Sequence, residues 1–100
     1  MLEVRIDVAS LTRAKSGAVW GGVWLESELG AIPQAGWQDL VAGVLEHWGE
    51  QLILLRETPT VEFRFFDGPY GFVCERKGDV LSVVFWSRGP WKPPAKPMLV

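Results

Sequence analysis

The sequence predicts an α+β domain, a two-layer sandwich in which a five-stranded, mainly antiparallel sheet carries one amphipathic helix on one face. Three observations predict it. One central stretch has helical periodicity, the chain before it alternates between apolar and charged residues, and three short alternating segments separated by glycine-containing turns follow it. The predicted order is ββαβββ, and the strand order within the sheet stays open.

The predicted helix is the stretch from Gly36 to Leu55, and it begins near Trp37. At about 100° per residue, its apolar side chains fall on one stripe. The stripe consists of Trp37, Leu40, Val41, Val44, Leu45, Trp48, Leu52 and Leu55. Asp39 is expected in the first turn, where a negative charge suits the helix dipole. Pro59 ends any continuation.

Two strands are predicted before the helix. Apolar residues at even positions from Leu2 to Val8 alternate with charged residues, which is typical of a strand with one buried face. Ala18 to Leu29 is the second strand, with Gly21 and Gly22 in its middle. Glycines inside a strand often mark a bulge or the close approach of another backbone. A bulge shifts the register by one residue, so the sequence leaves open which side chains of this strand face inward.

Three strands are predicted after the helix, at Val61 to Phe65, Tyr70 to Arg76 and Val80 to Ser87. The turn signals Asp67-Gly68-Pro69 and Lys77-Gly78-Asp79 lie between them and indicate a meander. The helix stripe is expected to cover one side of the sheet, formed by Leu2, Val4, Ile6, Val8, Val61, Phe63 and Phe65. Residues 1–88 are predicted to form the single domain.

Residues 89–100 are predicted to be a Pro-rich C-terminal tail, with four prolines in eight positions. Such a segment cannot continue a central strand and is expected to be extended or in polyproline II geometry. It contains two P-x-x-P frames, Pro90 to Pro93 and Pro94 to Pro97. Because this pattern is short and common, packing of Trp91 against the domain, or a flexible tail, is favoured over a docking motif.

The composition excludes several classes of protein. A net charge of −2 with interspersed acids and bases gives no broad electropositive surface, so nucleic acid is not expected as a partner. The N-terminus does not resemble a signal peptide, and no apolar stretch approaches the ~20 residues that cross a bilayer. A cytoplasmic protein without membrane contact is predicted. Cys74, the single cysteine, cannot form an internal disulfide and is expected to be buried and inert.

No catalytic, metal or cofactor motif is present in the sequence. There is no G-x-S-x-G elbow, no phosphate-binding loop and no paired Cys and His spacing for zinc. The best chemical cluster is Glu46, His47 and Glu50 on the helix, where residues three and four apart share a face. Two or three ligands from one helix are too few for a metal ion, so His47 is interpreted as a boundary residue of a solvated helix.

The sheet face opposite the helix combines aromatic side chains with charges of both signs. Trp, Tyr and Arg supply most of the binding energy in protein interfaces, so this face is predicted to bind a partner. Its predicted partner-binding residues are Trp20, Trp24, Glu26, Glu28, Arg64, Phe66 and Trp86. The alternative is purely structural packing, because cross-strand aromatic pairs also stabilise an exposed sheet without any partner.

Two segments carry a resemblance to a known group of proteins. Pro33, Gly36, Trp37 and Asp39 form a Pro-x-x-Gly-Trp-x-Asp pattern at the helix start, and residues 66–70 read Phe-Asp-Gly-Pro-Tyr. In these segments the chain resembles small uncharacterised bacterial proteins, some of which are regarded as candidate immunity proteins for secreted toxins. The resemblance brings no catalytic residue with it.

Together, the resemblance and the aromatic face predict a non-enzymatic bacterial protein-binding protein, an immunity or antitoxin-like inhibitor. Acidic groups such as Glu26, Glu28 and Glu62 are expected to face a basic toxin surface. One alternative is a homodimeric structural or assembly subunit that associates through the aromatic face. Another is a small ligand-binding domain or enzyme with a pocket between helix and sheet, in which His47 acts as acid or base.

Overall fold

The computed structural model describes residues 2–89 and 97–100. In chain order, its elements are β1 (Leu2–Arg13), β2 (Val19–Ser27), β3 (Gly30–Ile32), β4 (Gln38–Leu40), α1 (Val41–Leu54), β5 (Thr60–Arg64), β6 (Tyr70–Lys77), β7 (Val80–Ser87) and β8 (Met98–Leu99). The α+β class and the antiparallel pairing of the strands are confirmed. In the described ranges, no helix is both long and apolar enough to cross a membrane.

The strands divide between two sheets of four, so the single five-stranded sheet of the prediction is not found. In the N-terminal sheet β1, β2 and β3 are adjacent, and β4 also pairs with β2. In the C-terminal sheet the order is β5-β6-β7-β8, which contains the predicted meander. The helix α1 contacts β2 of the N-terminal sheet and β5 of the C-terminal sheet.

The predicted start of the helix is wrong by four residues. Trp37 was expected to open the helix, but Gln38–Leu40 forms β4 and pairs with Trp20 to Gly22 of β2, and α1 begins at Val41. The reason is the side chain of Asp39, which turns into the protein interior and accepts hydrogen bonds from a distant turn. These long-range bonds outweigh the local preference for a carboxylate in the first helical turn.

The expected irregularity at Gly21 and Gly22 is confirmed, although the extra residues lie in β1. Between the pairs Asp7 with Gly22 and Thr12 with Trp20, β1 has four residues and β2 has only Gly21. A Cβ atom on Gly21 would lie 2.7 Å from the Leu11 Cδ2 and 3.2 Å from the Leu11 Cα. Only glycine admits so close an approach of the neighbouring backbone.

Trp48 is the centre of the hydrophobic core. Its ring meets Phe63, Phe65 and Phe72 edge-on, with ring centroids 6.4, 5.2 and 5.5 Å apart. Its Nε1 donates a hydrogen bond of 2.9 Å to the backbone oxygen of Arg64. The Trp48 indole therefore holds α1 against β5 through its ring packing and through this hydrogen bond.

The helix covers the predicted residues of β5 but not those of β1. Phe63 and Phe65 are buried, whereas Val4, Ile6 and Val8 remain 48%, 38% and 74% exposed. The expectation that α1 buries the apolar side of β1 is therefore wrong for these three residues, whereas Leu2 is partly buried against the core. The helix packs on β2 and β5, and β1 lies outside the area it covers.

Predictions about the tail fall partly outside the described residues. Met98 and Leu99 form β8, which pairs with β7 at Val83 and Ser82. The P-x-x-P frames and Trp91 lie in residues 90–97, most of which are outside the described ranges.

Candidate functional site

The turn between β5 and β6 is held by a fully buried carboxylate, that of Asp39. The Phe66 backbone N–H donates to Oδ2 at 3.0 Å, and the Asp67 backbone N–H donates to Oδ1 at 3.0 Å. The Trp37 Nε1 also donates to Oδ2 at 3.0 Å, and the Leu40 backbone N–H donates to Oδ1 at 2.7 Å. Such charge-assisted bonds compensate the carboxylate for its burial. We call this cluster of Trp37, Asp39, Phe66 and Asp67 the Asp39 junction.

The two segments that carry the resemblance meet at this junction. The Trp37 ring lies edge-on to the Tyr70 ring, with centroids 5.1 Å apart. Gly68 has a φ of +84°, and a Cβ on it would lie 3.2 Å from the Trp37 Cη2. Trp37 and Asp39 of the first segment therefore contact the turn formed by residues 66–70. Because these contacts are internal and satisfied, the residues of the two segments have a structural role in this fold.

Beside the junction lies an open hollow of about 540 Å³. We call it the Trp86 hollow, and its defining residues are His47, Arg64, Phe66, Pro69, Trp86 and Arg88. They come from α1, from the end of β5 with the turn after it, and from the end of β7 with the residue beyond it. The volume is within the usual range for ligand sites.

The registration of three strands places the two arginines against the indole. Arg64, Gly71 and Trp86 are successive cross-strand neighbours on β5, β6 and β7. Because Gly71 has no side chain, the Arg64 guanidinium reaches across it, with Cζ 6.0 Å from the centroid of the Trp86 ring. The Cζ of Arg88 is 5.7 Å from the same ring. Both distances fit cation–π contacts.

Gly71 is also required by the position of the indole itself. A Cβ on Gly71 would lie 2.6 Å from the Trp86 Cζ2 and 2.6 Å from the Phe63 backbone oxygen. The ring therefore rests directly on the backbone of β6, and its position is fixed by the sheet.

Two residues that line the hollow each have a buried ring nitrogen without a hydrogen-bond partner. In the part of the chain that the structure describes, the His47 Nε2 and the Trp86 Nε1 are the buried side-chain polar atoms without one. Buried polar atoms are nearly always paired in folded proteins, and the exceptions often serve function. Both belong to residues that line the hollow, next to two cationic side chains. The arrangement suits a ligand that brings negative charge and hydrogen-bond acceptors.

The seven predicted partner-binding residues fall into two groups. Arg64, Phe66 and Trp86 come together in the hollow. The other four lie on β2 or directly after it, in the N-terminal sheet: Trp20, Trp24, Glu26 and Glu28. There the Trp24 Nε1 donates to the Glu26 carboxylate at 2.8 Å, so this indole is satisfied within its own strand.

Sequence reasoning did not assign Arg88 and His47 to a binding face, nor Gly71, which supports the Trp86 ring beside the hollow. Arg88 was not singled out, although its position two residues after Trp86 indicates the same face of a strand. Gly71 gave no signal, because its importance depends on the strand register. His47 was interpreted as a boundary residue, and the structure places it 5.9 Å from Phe66, ring centroid to ring centroid.

A second cavity, of about 280 Å³, lies between the helix and the two sheets, where the enzyme or ligand-binding alternative requires a pocket. It is lined almost entirely by apolar side chains and does not include His47. Cys74 lines it, and burial raises the pKa of this thiol to about 11, so the thiol is protonated at neutral pH. Among the described residues, no three His, Cys, Asp or Glu side chains group to hold a metal ion.

Comparisons of the chain with family models, with curated proteins and with solved structures gave no match. The resemblance to candidate immunity proteins therefore stays a prediction. The geometry of the hollow is the main basis for a functional proposal.

Proposed function

We propose that this chain is a non-enzymatic binding protein that holds an acidic segment of a protein partner in the Trp86 hollow. One observation carries the proposal. Two guanidinium groups lie against a single indole, in a hollow lined by His47 and Trp86, whose buried ring nitrogens lack partners. Tryptophan and arginine are the residue types that dominate binding energy in protein interfaces.

The charge of the hollow favours an acidic ligand. Arg64 pairs with Glu62, but its side chain is 61% exposed and open to a second carboxylate. Arg88 has no ion pair with any described residue. A guanidinium offers parallel N–H donors that match a carboxylate in a two-pronged contact. Because the whole chain has a charge of −2, this basic spot is local, and it contributes specificity for an acidic segment more than general attraction.

The site is also held in shape before any ligand arrives. The Asp39 junction fixes the backbone of Phe66 and Asp67, and Gly71 seats the Trp86 ring on the sheet. Binding to rigid groups loses less conformational entropy than binding to mobile ones. The resemblance supports an immunity-type inhibitor in the bacterial cytoplasm as the setting, with a secreted toxin as the partner.

The test is a calorimetric titration with the protein encoded by the adjacent gene. We expect binding to the natural chain and at least ~10-fold weaker binding to the R64Q/R88Q variant, equivalent to ~1.4 kcal/mol or more. The matched control is R13Q/K15Q, which removes the same charge from the exposed end of the β1–β2 hairpin and is expected to bind normally.

Two results would contradict the proposal. One is the absence of binding to the neighbouring gene's product. The other is an equal loss of affinity in both variants, which would show that only overall charge matters. As a site-specific readout, the Trp86 indole N–H resonance, assigned with a W86F variant, is expected to shift on binding, while that of Trp20 stays in place.

A further inference from the structure

β1 leaves a long edge of the N-terminal sheet unpaired. It contains 12 residues and pairs only with β2 among the described strands. Its exposed large apolar side chains are Val4, Ile6, Val8 and Leu11. Edge strands of this length and composition invite pairing with another chain unless they are protected.

Hydrogen bonds in β2 show which way the backbone of β1 points. The Val23 N–H donates to the Trp37 oxygen, away from β1, whereas the Gly22 N–H donates to the Ser10 hydroxyl of β1. Backbone groups alternate in direction along a strand. Gly22 and Trp24 therefore face β1, and their partners there, Asp7 and Arg5, face back.

The residues that alternate with Arg5 and Asp7 in the regularly paired part of β1 consequently turn their N–H and C=O groups to the free edge. They include Val4 and Ile6, whose side chains are exposed, and Val8, 74% exposed, follows at the start of the irregular stretch of β1. A strand added at this edge would satisfy the free backbone groups and cover the apolar side chains together.

We propose that the added strand is β1 of a second copy of the chain, antiparallel and related by a twofold axis through Ile6. In this register Ile6 lies opposite Ile6 of the second copy, and Val4 lies opposite Val8. Arg5 then faces Asp7 of the second copy, and Asp7 faces its Arg5. The segment Val-Arg-Ile-Asp-Val is thus self-complementary in charge and in hydrophobicity, as a twofold interface requires.

Another register places the twofold axis at Val4. It also brings the free backbone groups of the two β1 strands together, but it pairs their charged side chains less well. It sets Glu3 against Arg5 of the second copy, although Glu3 already contacts Arg5 of its own chain at 3.0 Å. It leaves Asp7, which has no ion pair among the described residues, without an arginine opposite it. It also leaves Val8, 74% exposed, uncovered.

The apolar cavity extends this surface toward the helix. Val4 lines it together with Leu45 and Leu52, which are 37% and 57% exposed. Pairing at β1 would bring Val8 of the second copy beside Val4 at the rim of this apolar surface. The interface therefore has an apolar side next to α1 and a charged side on the opposite face of the sheet.

Light scattering over a range of concentrations tests the pairing in variants whose charges at positions 5 and 7 are reversed. The natural chain is expected at twice 11.2 kDa, the mass of one copy. R5D places two carboxylates face to face, and D7R places two guanidinium groups face to face, so each is expected to weaken the dimer at least ~10-fold. The R5D/D7R variant restores opposite charges and is expected to restore the dimer. K15D, a change outside β1, is the control.

Each outcome of this experiment supports or contradicts the proposed pairing of the two β1 strands. A natural chain that is monomeric at every concentration overturns the pairing. If the axis lay at Val4, the aspartate introduced at position 5 would face Glu3 in R5D and in the double variant alike, so the second change would not rescue the dimer. Far-UV circular dichroism confirms that each variant is folded, which is expected because Arg5 and Asp7 are exposed. The result is independent of partner binding at the Trp86 hollow.

Discussion

The Asp39 junction and the Trp86 hollow lie beside the same turn and use the same spacing of residues in opposite ways. In each, a tryptophan is followed two positions later by a charged residue, Asp39 after Trp37 and Arg88 after Trp86. In the junction the carboxylate accepts the indole N–H at 3.0 Å. In the hollow the guanidinium lies over the ring face, and the indole N–H has no partner.

The difference follows from the chemistry of the charged partner. A carboxylate is an acceptor and can satisfy an indole N–H, whereas a guanidinium has only donors and leaves it unsatisfied. The junction is therefore complete in itself and serves stability. In the hollow the Trp86 indole N–H lacks an acceptor, and so the comparison separates a structural site from the proposed binding site.

Removal of the Asp39 carboxylate should show the largest effect on stability. D39A leaves the N–H groups of Phe66, Asp67 and the Trp37 indole without their acceptor in a buried place, and each unsatisfied donor costs about 1–3 kcal/mol. We expect a loss of about 3–5 kcal/mol in the free energy of unfolding, measured in urea.

The matched control is D67N, in which an exposed carboxylate of the same turn loses its charge. It is expected to change stability by less than ~0.5 kcal/mol. If D39A and D67N cost the same, the junction has no special structural role and the comparison fails.

An added methyl group at Gly71 should have the next largest effect. The new Cβ would lie 2.6 Å from the Phe63 backbone oxygen and 2.6 Å from the Trp86 ring, so the strands or the ring must move. We expect G71A to lose about 2 kcal/mol of stability and to weaken partner binding at the hollow. Urea unfolding measures the stability and calorimetric titration measures the partner binding. If G71A keeps both the stability and the affinity of the natural chain, the contact of Trp86 with the β6 backbone is not needed.

The local elements of the fold could be predicted from the sequence because their signals are local. Alternation and the turns Asp67-Gly68-Pro69 and Lys77-Gly78-Asp79 predicted the meander, which the structure confirms. The division into two sheets could not be predicted. The pairing of β4 with β2 could not be predicted either, because Asp39 bonds to residues 27 and 28 positions away, a contact that no periodicity shows.

The hollow was predictable only in part for a related reason. Arg64, Phe66 and Trp86 were singled out from their residue types, but the sequence grouped them with four residues of another sheet. Their convergence depends on the alignment of Arg64, Gly71 and Trp86 across three strands. Gly71 matters because it lacks a side chain, and a hydrophobic pattern does not indicate such a role. Binding of a partner at this face stays a prediction.

The smallest effect expected, and the one that links the junction to the hollow, comes from two glycines on α1. At Gly49 a Cβ would have no atom within 4 Å, so G49A should gain about 1 kcal/mol from the better helix propensity of alanine.

At Gly43 a Cβ would lie 2.7 Å from the Phe66 Cε2. The Phe66 ring is 48% exposed and can move aside, so G43A should leave stability nearly unchanged. The moved ring would leave its place beside His47, and we expect weaker partner binding in G43A but not in G49A. Thermal unfolding and titration of both variants provide the measurement. Equal gains in stability with equal binding would show that Phe66 shapes neither the turn nor the hollow.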